Sequence, residues 1–449
     1  MAKRKRQSTE VTAGLVALGC PKNIVDSEKM LASIGAAGFV LTADADNADV
    51  VVVNTCGFIE PAKQEAIEAI RRAVKQKKKG AVKKVIVAGC LAQRMGEELL
   101  DEVDGIDAIV GLAGREKIAE VINDAIKNKT TFDYFEQTED TGDDRGRLLI
   151  TPGHWAYLRI SEGCDRRCAF CTIPSIRGRF RSKPMRMIID EAKELADCGA
   201  VELSIIAQDS NYYGRDLGEK NGLVKLIEEL ERIDELKWIR LMYLYPAGID
   251  DELIETIAQS EKVLNYIDMP IQHINNDMLK AMRRSDTKEN TAELIEKFRK
   301  AMNDVVLRTT IITGFPGETD EQFKELSEFV EWARFDALGC FTFYPEIGTA
   351  AAGMDGQVPE EIKQQRADTL MQIQQKIAFE KNNQRIGKEL VCLVDDKDEE
   401  GNALGRFYGQ APHIDSVCLV QGCKSQIGEF AKVKVTGVQD YDLIVKECS

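Results

Sequence analysis

Only three histidines and three tryptophans occur among the 449 residues, and no apolar run approaches the ~20 residues that span a bilayer. The missing run excludes a membrane span, and no membrane partner is expected. The basic start "MAKRKRQSTE" has no apolar stretch behind it, which argues against a secretory signal and places the protein in the cytoplasm. A basic surplus is absent too: 60 Lys and Arg face 75 Asp and Glu, a net charge of −15. That balance argues against bulk attraction to nucleic acid and suits a basic protein partner. With so little histidine, the neighbouring Cys418 and Cys423 have no His pair to complete a zinc site, and they stay unassigned.

Cysteine, by contrast, occurs twelve times. In a reducing compartment clustered cysteines read as metal or redox centres and not as a disulfide framework. The length, with a prior of roughly 100–200 residues per domain, suggests three domains of a globular protein. Three apolar runs end alike, "GLVALGC" at Cys20, "DVVVVNTC" at Cys56 and "KVIVAGC" at Cys90, spaced 36 and 34 residues apart. Helical patterns follow each, "DSEKMLASIGAAG", "PAKQEAIEAIRRAVKQ" and "AQRMGEELLDEV". This predicts an open parallel α/β sheet, whose ligands bind beyond the carboxyl ends of the strands. A single such cysteine reads as a small core hydrophobe, but three at equivalent strand ends read as a converging set.

The acidic stretch "DYFEQTEDTGDDRGR" marks a boundary. Beyond it, six strand-like runs from "WAYLRI" to "ALGCFTFYP" alternate with helices, one opened by a capping box of Thr319 and Gln322. Six βα units predict a partial parallel barrel with its active site at the carboxyl ends of the strands. The helical run "PEEIKQQRADTLMQIQQKIAFEKNNQRIG" is followed by short alternating runs that predict a small antiparallel β barrel. From Arg385 onward eight basic residues face eleven acidic ones, a poor phosphate binder. The expected domains are 11–130 (α/β), 131–150 (acidic linker), 151–384 (partial barrel with trailing helix) and 385–449 (small barrel).

"SEGCDRRCAFCTIP" follows the first strand of the partial barrel and holds Cys164, Cys168 and Cys171 in a C-x-x-x-C-x-x-C spacing. A structural zinc wants four closed ligands. A [4Fe–4S] cluster on three cysteines leaves one iron open to a ligand that is not protein. Cys198, Cys340 and Cys392 lie in helix or strand patterns and read as core. "TIITGFPGE" reads as a tight strand-to-helix turn. Gln208 and Gln272 end two strands and point at the same cavity, as cofactor contacts, substrate contacts or structural caps.

The three-cysteine spacing, with Phe170 inside it and "IPSIRGRFRSKP" after it, resembles the radical S-adenosylmethionine enzymes. The resemblance implies that the open iron chelates the cofactor and that cleavage yields a 5′-deoxyadenosyl radical. It also favours a cofactor-binding role for Gly314. With the amino-terminal unit and small terminal barrel, nearly the whole chain resembles the methylthiotransferases. That resemblance implies a second [4Fe–4S] cluster on Cys20, Cys56 and Cys90, which holds or supplies the inserted sulfur, and an electron donor as partner. "GCPKNIVDSE", "NTCGFIEPAKQEAIEAI", "MPIQHINNDMLKAMRR" and "DALGCFTFYPEIGT" resemble the protein-modifying branch, whose substrate is the β carbon of an aspartate in small-subunit ribosomal protein S-twelve. This branch implies no direct tRNA substrate. The alternatives are a tRNA-modifying relative and a non-catalytic metal-bound scaffold or electron carrier. The basic "SIRGRFRS" suits either a nucleic-acid phosphate or the carboxylate of the target aspartate. His273 is left out of the catalytic set, because hydrogen abstraction by a radical requires no general base at carbon.

Overall fold

The computed structural model describes residues 11–133, 135–136 and 141–448. Parts of the expected acidic linker, Tyr134 and residues 137–140, lie outside the described residues. Two compact units form: the first runs to Ile150 and takes in Thr172–Arg179, and the second comprises Thr151–Cys171 and the chain from Phe180 onward.

In the first unit the strands are β1 (Thr12–Ala17), β2 (Val40–Thr42), β3 (Val50–Thr55), β4 (Lys84–Gly89), β5 (Ala108–Val110) and β6 (Thr131–Asp133). They pair in parallel in the order β2-β1-β3-β4-β5-β6. β3 is buried along its whole length, which is why it reads as an unbroken apolar run before Asn54. Helices α1 (Pro21–Ala36), α2 (Glu60–Lys78), α3 (Cys90–Met95), α4 (Leu99–Glu102) and α5 (Ile118–Ile126) connect them, and α6 (Ile173–Arg177) belongs to the later segment. Pro21 opens α1 where its missing N–H costs nothing. The helix expected across 92–103 is broken in two: α3 ends at Gly96, which sits at φ 55°. Residues after the acidic stretch are tied to α1, with the Leu148 N–H donating to the Glu28 carbonyl (3.1 Å) and the Ile150 N–H to the Glu28 carboxylate (3.1 Å).

The second unit holds β7 (Trp155–Arg159), the short pair β8 (Ser161–Glu162) and β9 (Arg181–Ser182), β10 (Glu202–Ile206), β11 (Trp238–Leu241), β12 (Val263–Asp268), β13 (Val306–Thr313) and β14 (Ala337–Thr342). Six of these form a parallel sheet in the order β14-β13-β12-β11-β10-β7. Its helices are α7 (Met185–Asp197), α8 (Gly222–Glu231), α9 (Asp251–Gln259), α10 (Asn276–Ala281), α11 (Lys288–Ala301), α12 (Asp320–Ala333) and α13 (Glu360–Asn383). The capping box of Thr319 and Gln322 is formed in both directions.

A closed barrel follows, from β15 (Glu389–Lys397), β16 (Ala403–Phe407), β17 (Cys418–Gln421), β18 (Phe430–Gln439) and β19 (Asp442–Glu447), in the order β15-β16-β17-β19-β18. Five strands cannot alternate direction all the way round a ring. The odd pair is β17 with β19, which is parallel, while the other four pairs are antiparallel. Buried ion pairs fasten this barrel to the amino ends of the parallel strands. Glu202, the first residue of β10, accepts from Arg240 Nε (3.0 Å) and Arg406 Nη1 (2.6 Å). Arg406 also grips Asp395 (2.6 and 2.8 Å), which His154 contacts at 2.8 Å.

Candidate cluster-binding sites

β1, β3 and β4 are neighbours, and each delivers its cysteine just beyond its carboxyl end: Cys20 precedes α1, Cys56 follows Thr55, and Cys90 opens α3. The three thiols lie close enough to act on one another electrostatically. Burial pushes the Cys90 thiol up to about 12, with smaller upward contributions from Cys20 and Cys56, and burial likewise raises Cys56. Asn23 organises the pocket. Its Nδ2 donates to the carbonyls of Leu18 (3.0 Å) and Thr55 (2.8 Å), and its Oδ1 faces Cys90 Sγ at 3.4 Å and accepts from Arg177 Nη2 at 2.9 Å.

The glycines of the two "GC" pairs are structural necessities. Gly19 (φ 90°) lies so close to Cys56 that a Cβ there would fall 2.6 Å from Cys56 Cβ and 3.1 Å from its Sγ. Gly89 (φ 96°) would drive a Cβ into Asn54 Oδ1 and to 2.7 Å from the Thr55 carbonyl oxygen. Gly89→Ala is therefore expected to lose about 2–4 kcal/mol through backbone strain and steric conflict combined. Urea unfolding tests this; an unchanged midpoint contradicts the packing described.

In the second unit Cys164 follows Gly163 on the loop beyond β8. Burial pushes Cys164 up to about 11 and raises Cys168, with Cys168 acting on Cys164 through its charge. The loop is pinned at its centre: Ala169 N–H donates to the Met282 carbonyl (2.9 Å), and the Ala169 carbonyl accepts from Ala351 (2.8 Å). Phe170 packs against a core of Met278, Met282, Phe315, Phe343 and Ala351. Arg166, held by Asp209 (2.7 Å) and the Ala247 carbonyl (3.1 Å), lies 4.0 Å from the Tyr245 ring centre. Arg284, held by Asp286 (3.0 Å), lies 4.3 Å from the same ring. Arg166, within the loop, is thus tied to Asp209 and Tyr245, and the Tyr245 ring and the Arg284 guanidinium brace it from outside the loop's own sequence.

Gln208 lies two residues beyond β10; its Nε2 donates to Glu162 at 3.2 Å, and its buried Oε1 has no partner. Gln272, beyond β12, holds φ 65° and is clamped by backbone bonds to Thr310 and Ile312 (both 2.8 Å), strain of the kind stored at functional sites. Gly314 follows β13 directly. Its N–H is taken by Glu318 (2.8 Å), and Lys363 occupies the space where a Cβ would stand. His273 is fully buried, its Nδ1 accepts from Asn275 (3.0 Å), and burial pushes its pKa down to about 4, so it is neutral. Of the cysteines expected in the core, Cys392 is buried inside the small barrel beside the equally buried Cys418, Cys340 is only half-buried on β14, and Cys198, at the carboxyl end of α7, is exposed and not core. Sequence reading missed Asn23, Arg166, Tyr245 and Arg284, whose roles arise only from tertiary contacts; the "MYLYP" run that ends in the loop after β11 was the available signal for Tyr245.

Among the described residues no group of three or more His, Cys, Asp or Glu is placed to hold a single metal ion. A cubane cluster asks for something different, because each thiolate binds a separate iron and the sulfurs stand further apart. Two sets of three soft donors, one packed against a glycine that leaves no room for a side chain, fit such clusters. The raised thiols are no obstacle to such a cluster, since a coordinating metal deprotonates them outright.

The Radical SAM superfamily model matches residues 158–330, the TRAM domain 386–446, and Uncharacterized protein family UPF0004 residues 12–111. "Ribosomal protein uS12 methylthiotransferase RimO" of Symbiobacterium thermophilum is 44% identical over 439 residues, covering 97% of this chain and 90% of that protein. Its counterpart in Aquifex aeolicus is 45% identical over 433 residues, 96% of each chain. The chain belongs to the RimO family. Membership makes it a radical SAM methylthiotransferase, and the superfamily implies a [4Fe–4S] cluster with S-adenosylmethionine. The fold alone is also shared outside the RimO family: the methyltransferase TsrM of Kitasatospora setae, at 14% identity, matches with TM-score 0.54 over 76% of this chain and 77% of that one. Among the described residues no helix is long and apolar enough to cross a membrane.

Proposed function

We propose that the protein methylthiolates the β carbon of an aspartate in ribosomal protein uS12, using two [4Fe–4S] clusters. Cys164, Cys168 and Cys171 hold the one that binds S-adenosylmethionine, and Cys20, Cys56 and Cys90 hold the other. The observation that carries this is the pair of three-thiol sets at the carboxyl ends of two parallel sheets, in a chain of the RimO family. When bound, these groups supply the hydrogen-abstracting radical and the methylthio group. The protein's own part is placement. Ala169 and Phe170 fix the second cysteine loop, Tyr245 and Arg284 brace it, and Gln208 offers an unpartnered acceptor to cofactor or substrate. His273 has no part in the hydrogen abstraction, because a radical that removes a hydrogen atom requires no general base at carbon. The test is anaerobic reconstitution followed by incubation with S-adenosylmethionine, a reductant and uS12. Methylthio mass on one aspartate is expected; the same mass on a tRNA nucleoside, with uS12 unchanged, refutes the reading.

The acidic small barrel suits a basic protein partner, but its run of five acids, Asp395, Asp396, Asp398, Glu399 and Glu400, is not one surface. Asp395 is held by Arg406 and His154, and Asp398 caps its own turn through the N–H groups of Glu400 (3.0 Å) and Asn402 (2.8 Å). Asp396, Glu399 and Glu400 remain exposed. Replacing these three by their amides is expected to slow association with uS12 by about threefold to tenfold at low salt, with the difference vanishing at high salt as charges are screened. Stopped-flow association measured across a salt series checks this, and an unchanged low-salt rate rejects this surface.

A further inference from the structure

Arg177 lies in "SIRGR", only six residues after Cys171, yet its side chain is built into the first unit. It is 3% exposed. Nη2 donates to Asn23 Oδ1 at 2.9 Å and to Asp26 Oδ2 at 3.0 Å. The same Asn23 oxygen receives Cys90 Sγ at 3.4 Å, so one carboxamide joins the guanidinium to a thiol. The helix that carries it, α6, is seated by Ile176, which packs with Cys90 and Leu112, and by Thr172, whose hydroxyl donates to the Phe58 carbonyl (3.2 Å). Thr172, Ile176 and Arg177 therefore all converge on the residues around Cys56 and Cys90. After burial, Arg177 is the strongest electrostatic influence on Cys90, and it also acts on Cys56.

We propose that Arg177 is a positioning residue for the first three-cysteine set: it fixes Asn23 beside Cys90 and places a permanent positive charge next to a buried group of thiolates. The inference rests on the assignment of Cys20, Cys56 and Cys90 as cluster ligands. Three thiolates in a buried pocket are costly without a nearby cation, and arginine stays charged whatever its surroundings. A guanidinium at this distance also favours the more negative, reduced form of whatever the thiolates hold. It further gives "SIRGRFRS" a reading other than phosphate or substrate binding, since the Arg177 head is spent inside the fold.

The test uses the full chain with Cys164, Cys168 and Cys171 replaced by Ala, so that iron at the first set alone is read. Arg177→Met in this background is expected to move the midpoint potential of the bound iron to more negative values and to raise its loss rate to a chelator severalfold. Arg177→Lys, which keeps the charge without the fork, restores most of the potential and little of the chelator resistance. A potential unchanged in both variants overturns the proposal even if Arg177→Met is less stable, because mere structural support does not set a potential. Should Arg177→Met fail to fold, Arg177→Gln, which also removes the charge but keeps a polar head for Asn23 and Asp26, replaces it, and a wild-type potential in Arg177→Gln overturns the proposal equally. Absence of iron in the parent variant refutes the ligand assignment itself and is distinguishable from either result.

Discussion

Replacing Cys164, Cys168 and Cys171 together by Ala is expected to abolish reductive cleavage of S-adenosylmethionine and to leave about four iron per chain. The loop that carries these thiols is held by backbone bonds through Ala169 and by the Phe170 anchor, so its shape does not depend on the sulfurs. The thiol sets lie in different compact units, each with its own sheet, so emptying one leaves the scaffold of the other standing. Loss of cleavage should thus be essentially complete while the fold is kept. Persistent 5′-deoxyadenosine production by the triple variant refutes the assignment.

The reciprocal replacement of Cys20, Cys56 and Cys90 is expected to spare cleavage of the cofactor and eliminate methylthiolated uS12. These side chains sit at the ends of β1, β3 and β4 and contribute little to the main apolar cores on the two faces of the sheet. Cys→Ala at such positions removes one sulfur each, and the stability lost should stay within a few kcal/mol. The decisive readout is therefore the product and not the fold. Methylthiolated uS12 made by this variant, detected by mass, shows the three cysteines to be core residues after all.

How much of this was legible in the sequence follows from the range of the forces involved. The three "GC" or "TC" strand ends were readable because strand and helix periods are local, and a repeat of about 35 residues places equivalent ends side by side in a parallel sheet. The capping box at Thr319 and Gln322 was readable for the same reason. Arg177 was not: its partners Asn23 and Asp26 lie 154 and 151 residues away, and nothing in "SIRGR" distinguishes a buried guanidinium from a solvated one. Asp395 was hidden in the same way: in sequence it is one acid among several between Asp395 and Glu400, and only the fold brings Arg406 and His154 onto it. The split of the third helix turned on one residue, Gly96, whose φ of 55° ends α3 although the apolar pattern continues into α4. Gly314 belongs to the same class: the strand-to-helix turn was visible, but the Glu318 carboxylate on its N–H and the Lys363 side chain against it were not.

The central claim is that one chain holds two separate cluster sites, each with three cysteines. Iron and acid-labile sulfide, counted per chain after anaerobic reconstitution of the wild-type protein and both triple variants, test it most directly. The account predicts about eight of each in the wild type and about four in either variant. Zinc in place of iron, or a wild-type count of about four that one triple variant retains in full, contradicts it.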